Sequence, residues 1–221
     1  MSGIGNGEHA GADIGSEPIH HTVTIGMGCF WSPDALFGSL PGVVRTRAGY
    51  AGGTIPAPTY REMGDHTETV QITYDPVSIT LEQLLRLFWD NHNPYNINDY
   101  KGRQYRSLLI YHHESQLDAI HSVLKERETS PDTEIVQHTQ FWSAEDRHQK
   151  YYLHRYPQAV VALSGLYAAH EELVGSTVAA RLNGLAKGYT NLSRLREEIG
   201  SWNIDSGERE RILHIITQIR W

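Results

Sequence analysis

Cys29 is the single cysteine among 221 residues, and it stands in the run Met27-Gly28-Cys29-Phe30-Trp31. A lone thiol forms no internal disulfide and completes no Cys-Cys metal site. It serves as a nucleophile or redox centre, or it packs as a small buried hydrophobe. Its surroundings favour the reactive role. His21 to Ile25 is a β-branched run that reads as a strand, and Gly26 and Gly28 interrupt it. Phe30, Trp31, Leu36, Phe37 and Leu40 then recur at helical spacing. Pro33 suits a first helical turn, with Ser32 as its cap. Cys29 is therefore expected at the mouth of a helix. Free amides and the helix dipole there would ionise a thiol below its ordinary pKa of about 8.5.

Glu68 is the second residue whose type and place suggest chemistry. Strand alternation from Glu68 to Tyr74 sets it on the face of Val70, Ile72 and Tyr74. If that face is buried, desolvation favours the protonated carboxyl, a general acid. If the strand end is exposed, Glu68 is an ordinary surface carboxylate. The pattern leaves both open. Tyr60 follows the Pro58-Thr59 segment and Tyr105 immediately precedes a strand, so both are candidate phenolic donors. Spacing alone does not single them out among twelve tyrosines.

The elements that must position these groups are legible in outline. Val43 to Ala48 reads as a strand, followed by a glycine-rich turn, Gly49 to Gly53. Thr80 to His92 is the clearest helix, with a Thr80/Gln83 capping box, an apolar stripe of Leu81, Leu84, Leu85 and Phe88, and a Glu82–Arg86 pair. Arg106 to His112 is a strand, Glu114 to Arg127 a helix, Glu134 to Gln137 a short strand, and Ala144 to Tyr156 a polar helix ended by Pro157. This succession predicts an α+β two-layer sandwich, helices on a mixed β-sheet with a ferredoxin-like core. Residues 1–19 read as a disordered leader, 20–157 as the catalytic domain, and 158–221 as a helical C-terminal extension packed on the core. The extension ends in an amphipathic helix, Ser206 to Arg220, with Ile212, Ile215, Ile216 and Ile219 on one face.

Bulk properties narrow the function classes. The net charge of -7 argues against nucleic acid as a partner. No apolar stretch is long enough to span a membrane, and the N-terminal residues lack a signal core. A cytoplasmic location is expected. The adjacent pairs His20-His21 and His112-His113 point to opposite faces of a strand and chelate poorly, so no metal or other cofactor is expected.

Several runs occur in a fixed order: Gly28-Cys29-Phe30-Trp31, Gly49-Tyr50-Ala51-Gly52-Gly53, Pro58-Thr59-Tyr60, His66-Thr67-Glu68, Tyr74-Asp75-Pro76, Phe88 to His92, and Gln104-Tyr105-Arg106-Ser107. Gln140-Phe141-Trp142, Ala144-Glu145, His148-Gln149 and Tyr151 follow. Over about residues 20 to 157 the chain thereby resembles the type A peptide methionine sulfoxide reductases. The resemblance implies that Cys29 attacks the sulfoxide sulfur and that Phe30 and Trp31 form the pocket for its methyl group. It implies that Glu68 protonates the sulfoxide oxygen, that Tyr60 and Tyr105 hydrogen-bond it, and that Asp99 binds the substrate's backbone amine. The substrate would be the S epimer, free or in peptides.

The family's second, resolving cysteine has no counterpart here. A Cys29 sulfenic acid would then need an external thiol: thioredoxin, glutaredoxin or a small thiol. Other departures are a shortened Met63-Gly64-Asp65 loop, an extra residue between Asn98 and Gln104, and Ser32 and Asp34 where Gly and Glu are common. Two other readings are a redox sensor or oxidised-methionine-binding protein on the same fold, and a reductase for other methyl sulfoxides. The acid-and-tyrosine set favours catalysis.

Overall fold

Alternating apolar positions generate a six-stranded sheet in the computed structural model, which describes residues 19–97 and 102–221. Its strands are β1 (His21–Met27), β2 (Val43–Ala51), β3 (Thr67–Tyr74), β4 (Ser107–Tyr111), β5 (Glu134–Gln137) and β6 (Phe141–Ser143). Their order across the sheet is β5-β4-β1-β3-β2-β6. Neighbours are antiparallel except β4 and β5, which run parallel, so the sheet is mixed and the architecture α+β. Helix α1 (Trp31–Gly38) links β1 to β2. Helices α2 (Leu81–Asp90) and α3 (Pro94–Ile97) lie between β3 and β4, and α4 (Leu117–Lys125) precedes β5.

Val23, Ile25, Val70 and Ile72 of the central strands meet Phe37, Leu84, Leu85, Phe88, Ile120 and Val123 of the helices in the main core. Each such side chain contributes about 1.5–3 kcal/mol by leaving water. The Thr80 hydroxyl accepts from the Gln83 amide at 3.3 Å, while the Gln83 side chain accepts from the Thr80 amide at 2.8 Å, which completes the expected capping box.

Four local expectations give way to tertiary contacts. Arg86 does not pair with Glu82 but makes a two-pronged contact with Glu126, at the end of α4, at 2.7 and 2.9 Å. The Gly49 to Gly53 stretch begins as strand, because β2 runs on to Ala51 and pairs with β6. A side chain at Gly49 would strike the Phe141 ring and the Trp142 carbonyl. The expected cap, Ser32, lies inside α1, where Phe30 is the cap residue, and its hydroxyl meets that of Tyr152 at 3.0 Å. Finally, Ala144 to Tyr156 is not one helix. A single 3₁₀ turn (Asp146–His148) and the short α5 (Tyr151–His154) are separated by Gln149 in extended backbone and Lys150 in the left-handed region at φ 46°. Both intervening side chains are buried and bonded to β2, which outweighs helical continuity.

The remaining helices are α6 (Pro157–Leu163), α7 (His170–Val174), α8 (Thr177–Lys187), α9 (Leu192–Ser201) and α10 (Ser206–Gln218). They enclose a second apolar cluster containing Leu153, Leu163, Leu182, Leu195, Ile212 and Ile216. Helix α8 packs on α1, α5 and β2, whereas α10 lies on α6 and α9. No helix among the described residues is long and apolar enough to cross a membrane.

Candidate active site

The chain leaves β1 through Gly28, whose φ of 90° an L side chain rarely adopts. This turn delivers Cys29 to the mouth of α1, one residue before the helix cap, and the cysteine is exposed. The Trp31 amide does reach the sulfur and favours ionisation. Burial by the surrounding protein opposes it more strongly, and the Glu68 carboxylate adds repulsion and a hydrogen bond to the thiol, so the Cys29 pKa is pushed up to about 11. The helix-mouth effect read from the sequence is therefore present but outweighed. Burial and the Glu68 carboxylate thus hold the resting group toward the thiol rather than the thiolate.

Glu68 occupies the buried alternative of the two left open by alternation. It is 0% exposed on β3, directly across from Tyr50 of β2. One oxygen accepts from the Phe30 amide at 3.2 Å and the other from the Gln104 amide group at 2.9 Å. The first bond ties the carboxyl to the backbone next to Cys29. The second ties it to a 3₁₀ turn, Gly102–Tyr105, that also carries Tyr105.

Tyr105 hydrogen-bonds Tyr60, and burial first, then the nearby Glu68 charge, pushes its pKa well above the usual phenol range. It stays a proton donor at any physiological pH. Cys29 also bears on this phenol electrostatically, so Cys29, Glu68, Tyr60 and Tyr105 converge on one place. Asp99 lies outside the described residues.

The aromatic partners divide into a floor and a wall. Phe30 is only 1% exposed, under the rings of Tyr50 and His148 at centroid distances of 6.0 and 5.4 Å. Trp31 stacks on Tyr151 at 3.8 Å and 3° between ring planes. Its indole N–H donates to His148 Nδ1 at 3.3 Å. Trp31, Tyr60, Arg61, Arg147, His148 and Tyr151 line a mainly apolar cleft of about 420 Å³.

Residue-type reasoning passed over the groups that hold this arrangement. The Tyr50 hydroxyl donates to Glu145 Oε2 at 2.6 Å, and Glu145 Oε1 accepts from the Tyr60 amide at 3.1 Å. Burial works against the Glu145 charge, but the Tyr50 phenol, the Glu145 and Tyr60 amides and His148 outweigh it, and its pKa lies below the usual range. Glu145 is thus an anionic clasp on the Tyr60 backbone. His148 packs on Tyr60 with ring centroids 4.8 Å apart and planes tilted by 31°, and burial lowers its pKa. The only advance signal for Tyr50, Glu145, His148 and Tyr151 was their membership in the ordered runs. Their spacing implied nothing.

The family model described as "Peptide methionine sulfoxide reductase" matches residues 21–172. A peptide methionine sulfoxide reductase of Drosophila melanogaster is 38% identical, covering 93% of this chain and 87% of its own. One from Salmonella paratyphi B is 42% identical over 63% of this chain and 73% of its own. Among solved structures, methionine sulfoxide reductase A of Corynebacterium diphtheriae superposes with a TM-score of 0.56 at 31% identity, over 65% of this chain and 78% of that one. Mxr1 of Saccharomyces cerevisiae in reduced form gives 0.57 at 28% identity, over 63% and 87%.

Proposed function

This chain belongs to the peptide methionine sulfoxide reductases, and from that premise we propose a one-cysteine cycle in which Cys29 reduces the S epimer of methionine sulfoxide, free or in peptides. The observation that carries this reading is the convergence of an exposed thiol, a buried carboxyl and two phenols beside an aromatic cleft. A sulfoxide oxygen is basic and a poor leaving group, so it must gain a proton as its sulfur is attacked. The buried Glu68 carboxylate takes the proton of the Cys29 thiol and delivers it to the sulfoxide oxygen, and Tyr60 and Tyr105 donate hydrogen bonds to the same oxygen. The raised Cys29 pKa fits a thiol that gives up its proton only as substrate arrives, with Glu68 as the neighbour through which that proton passes.

The step balances simply. The Cys29 thiol and the sulfoxide become a Cys29 sulfenic acid and a thioether; the cysteine sulfur loses two electrons and the methionine sulfur gains them. Trp31 with its stacked partner receives the methyl group, and Phe30 supports it from below. A fixed methyl pocket on one side and fixed donors on the other accept one hand at sulfur. No second cysteine is present to resolve the sulfenic acid. An external thiol condenses with it, releasing water and leaving a mixed disulfide, which a second thiol reduces. Thioredoxin, glutaredoxin and a small thiol all meet this chemical requirement.

The test is incubation with a racemic methionine sulfoxide derivative and dithiothreitol. Loss of the S epimer alone, abolished in Cys29→Ser, is the expected result. Absence of turnover with several thiols would point to the sensor reading instead.

A further inference from the structure

We infer that Asn183, on α8 of the C-terminal helical cluster, is a positioning residue that sets the aromatic cleft beside Cys29; the inference rests on the function proposed above. Asn183 is completely buried. Its carbonyl oxygen accepts from the Tyr152 and Leu153 amides, at 3.0 and 3.1 Å, in the first turn of α5. Its amide group donates to Asp34 Oδ2 of α1 at 3.2 Å. One side chain therefore spans the two elements whose rings make the stacked wall, since Trp31 lies one turn before Asp34 on α1 and Tyr151 opens α5.

Lys150 reinforces the same joint. Its ammonium, wholly out of water, donates to Asp34 Oδ1 at 2.9 Å, to the Thr46 carbonyl at 2.6 Å and to the Thr46 hydroxyl at 3.0 Å. Its amide donates to Asp34 Oδ2 at 3.1 Å. Asp34 is thus a shared acceptor, and Asn183 is its link to the C-terminal helices. A four-residue helix has no stability of its own. The orientation of Tyr151 depends on these side-chain bonds to its flanking amides. Directional bonds fix an angle, which apolar contact alone does not.

The test is steady-state kinetics of Asn183→Leu and Asn183→Asp on the S-sulfoxide, with Ile216→Val in the second cluster as a destabilised control. Asn183→Leu removes both sets of bonds. Asn183→Asp keeps its size and its acceptor for the two amides but replaces the donor to Asp34 with a second acidic group. We expect KM to rise roughly tenfold in Asn183→Leu, about the loss of one to two buried hydrogen bonds, and about threefold in Asn183→Asp, with kcat nearly unchanged. Ile216→Val should lower the melting temperature and leave KM alone. Wild-type KM in a folded Asn183→Leu, or an equal KM rise in Ile216→Val, overturns the assignment. Inactivity of the unsubstituted enzyme would instead strike at the proposed function.

Discussion

The surroundings of the site and the C-terminal helical cluster are held by different forces. Around the site, buried polar groups set the geometry: Glu68 on the Phe30 amide, Gln149 on both backbone groups of Ala48, Lys150 on Asp34 and Thr46, and Asn183 on Asp34. The second cluster is mostly aliphatic, its buried members including Leu163, Leu173, Val178, Leu195, Ile199 and Ile212. Arg181 of α8 pairs with Glu198 at 2.7 Å and reaches back to the Gly38 carbonyl of α1 at 2.7 Å. Aliphatic packing tolerates small shifts, whereas a buried hydrogen bond is made or lost over a few tenths of an ångström. The comparison teaches that precision here resides in the polar joints and bulk stability in the apolar clusters.

The largest expected effect is on Cys29, the proposed nucleophile. Cys29→Ser should remove turnover altogether with no change in melting temperature, by racemic-substrate assay and calorimetry. Next, Glu68→Gln should slow sulfoxide reduction in single-turnover kinetics by roughly 10²–10⁴-fold, the range for a general acid. Wild-type single-turnover rates would free Glu68 from that role. Third, Lys150→Met leaves Asp34 buried without its cation and should cost about 3–5 kcal/mol in urea unfolding. A cost below about 1 kcal/mol would erase the contrast between the two regions. Fourth, Leu195→Ala in the aliphatic cluster should cost about 2–4 kcal/mol through the cavity it leaves, with KM intact.

The smallest effect separates burial from helix-mouth activation. Because the Cys29 pKa is raised to about 11, its alkylation rate should still be climbing above about pH 9, past the ordinary thiol value of about 8.5. Glu68→Gln removes a repelling charge, so its alkylation profile should shift to lower pH even as catalysis is lost. A wild-type plateau near about pH 8 would show that the Trp31 amide prevails over burial.

Legibility in the sequence followed the range of the interactions. Helix α2 was readable because its capping box and stripe are local, and β5 because its β-branched pair is flanked by polar residues. Strand β6 escaped notice: it is three residues long, and it exists because β2 offers an edge far away in sequence. The polar stretch after Ala144 mimics a helix, yet the burial of Gln149 and Lys150 breaks it. Cys29 stood out as the lone thiol and Glu68 by strand alternation, whereas Tyr60 and Tyr105 were separable from the other tyrosines only through the ordered runs. Glu145 and Asn183 act by bonds to backbone amides 85 and about 30 residues distant, which no spacing rule encodes.

The chain's own order of residues determined the supply of chemical groups, one thiol and no partner cysteine, and the short-range elements that carry them. Tertiary structure decided that Glu68 is inside, that Cys29 is held toward the thiol, and that Asp34 meets Asn183 across 149 positions. The physical reason is that propensity and capping act within a few residues, while desolvation and the pairing of buried polar groups depend on what folding brings alongside.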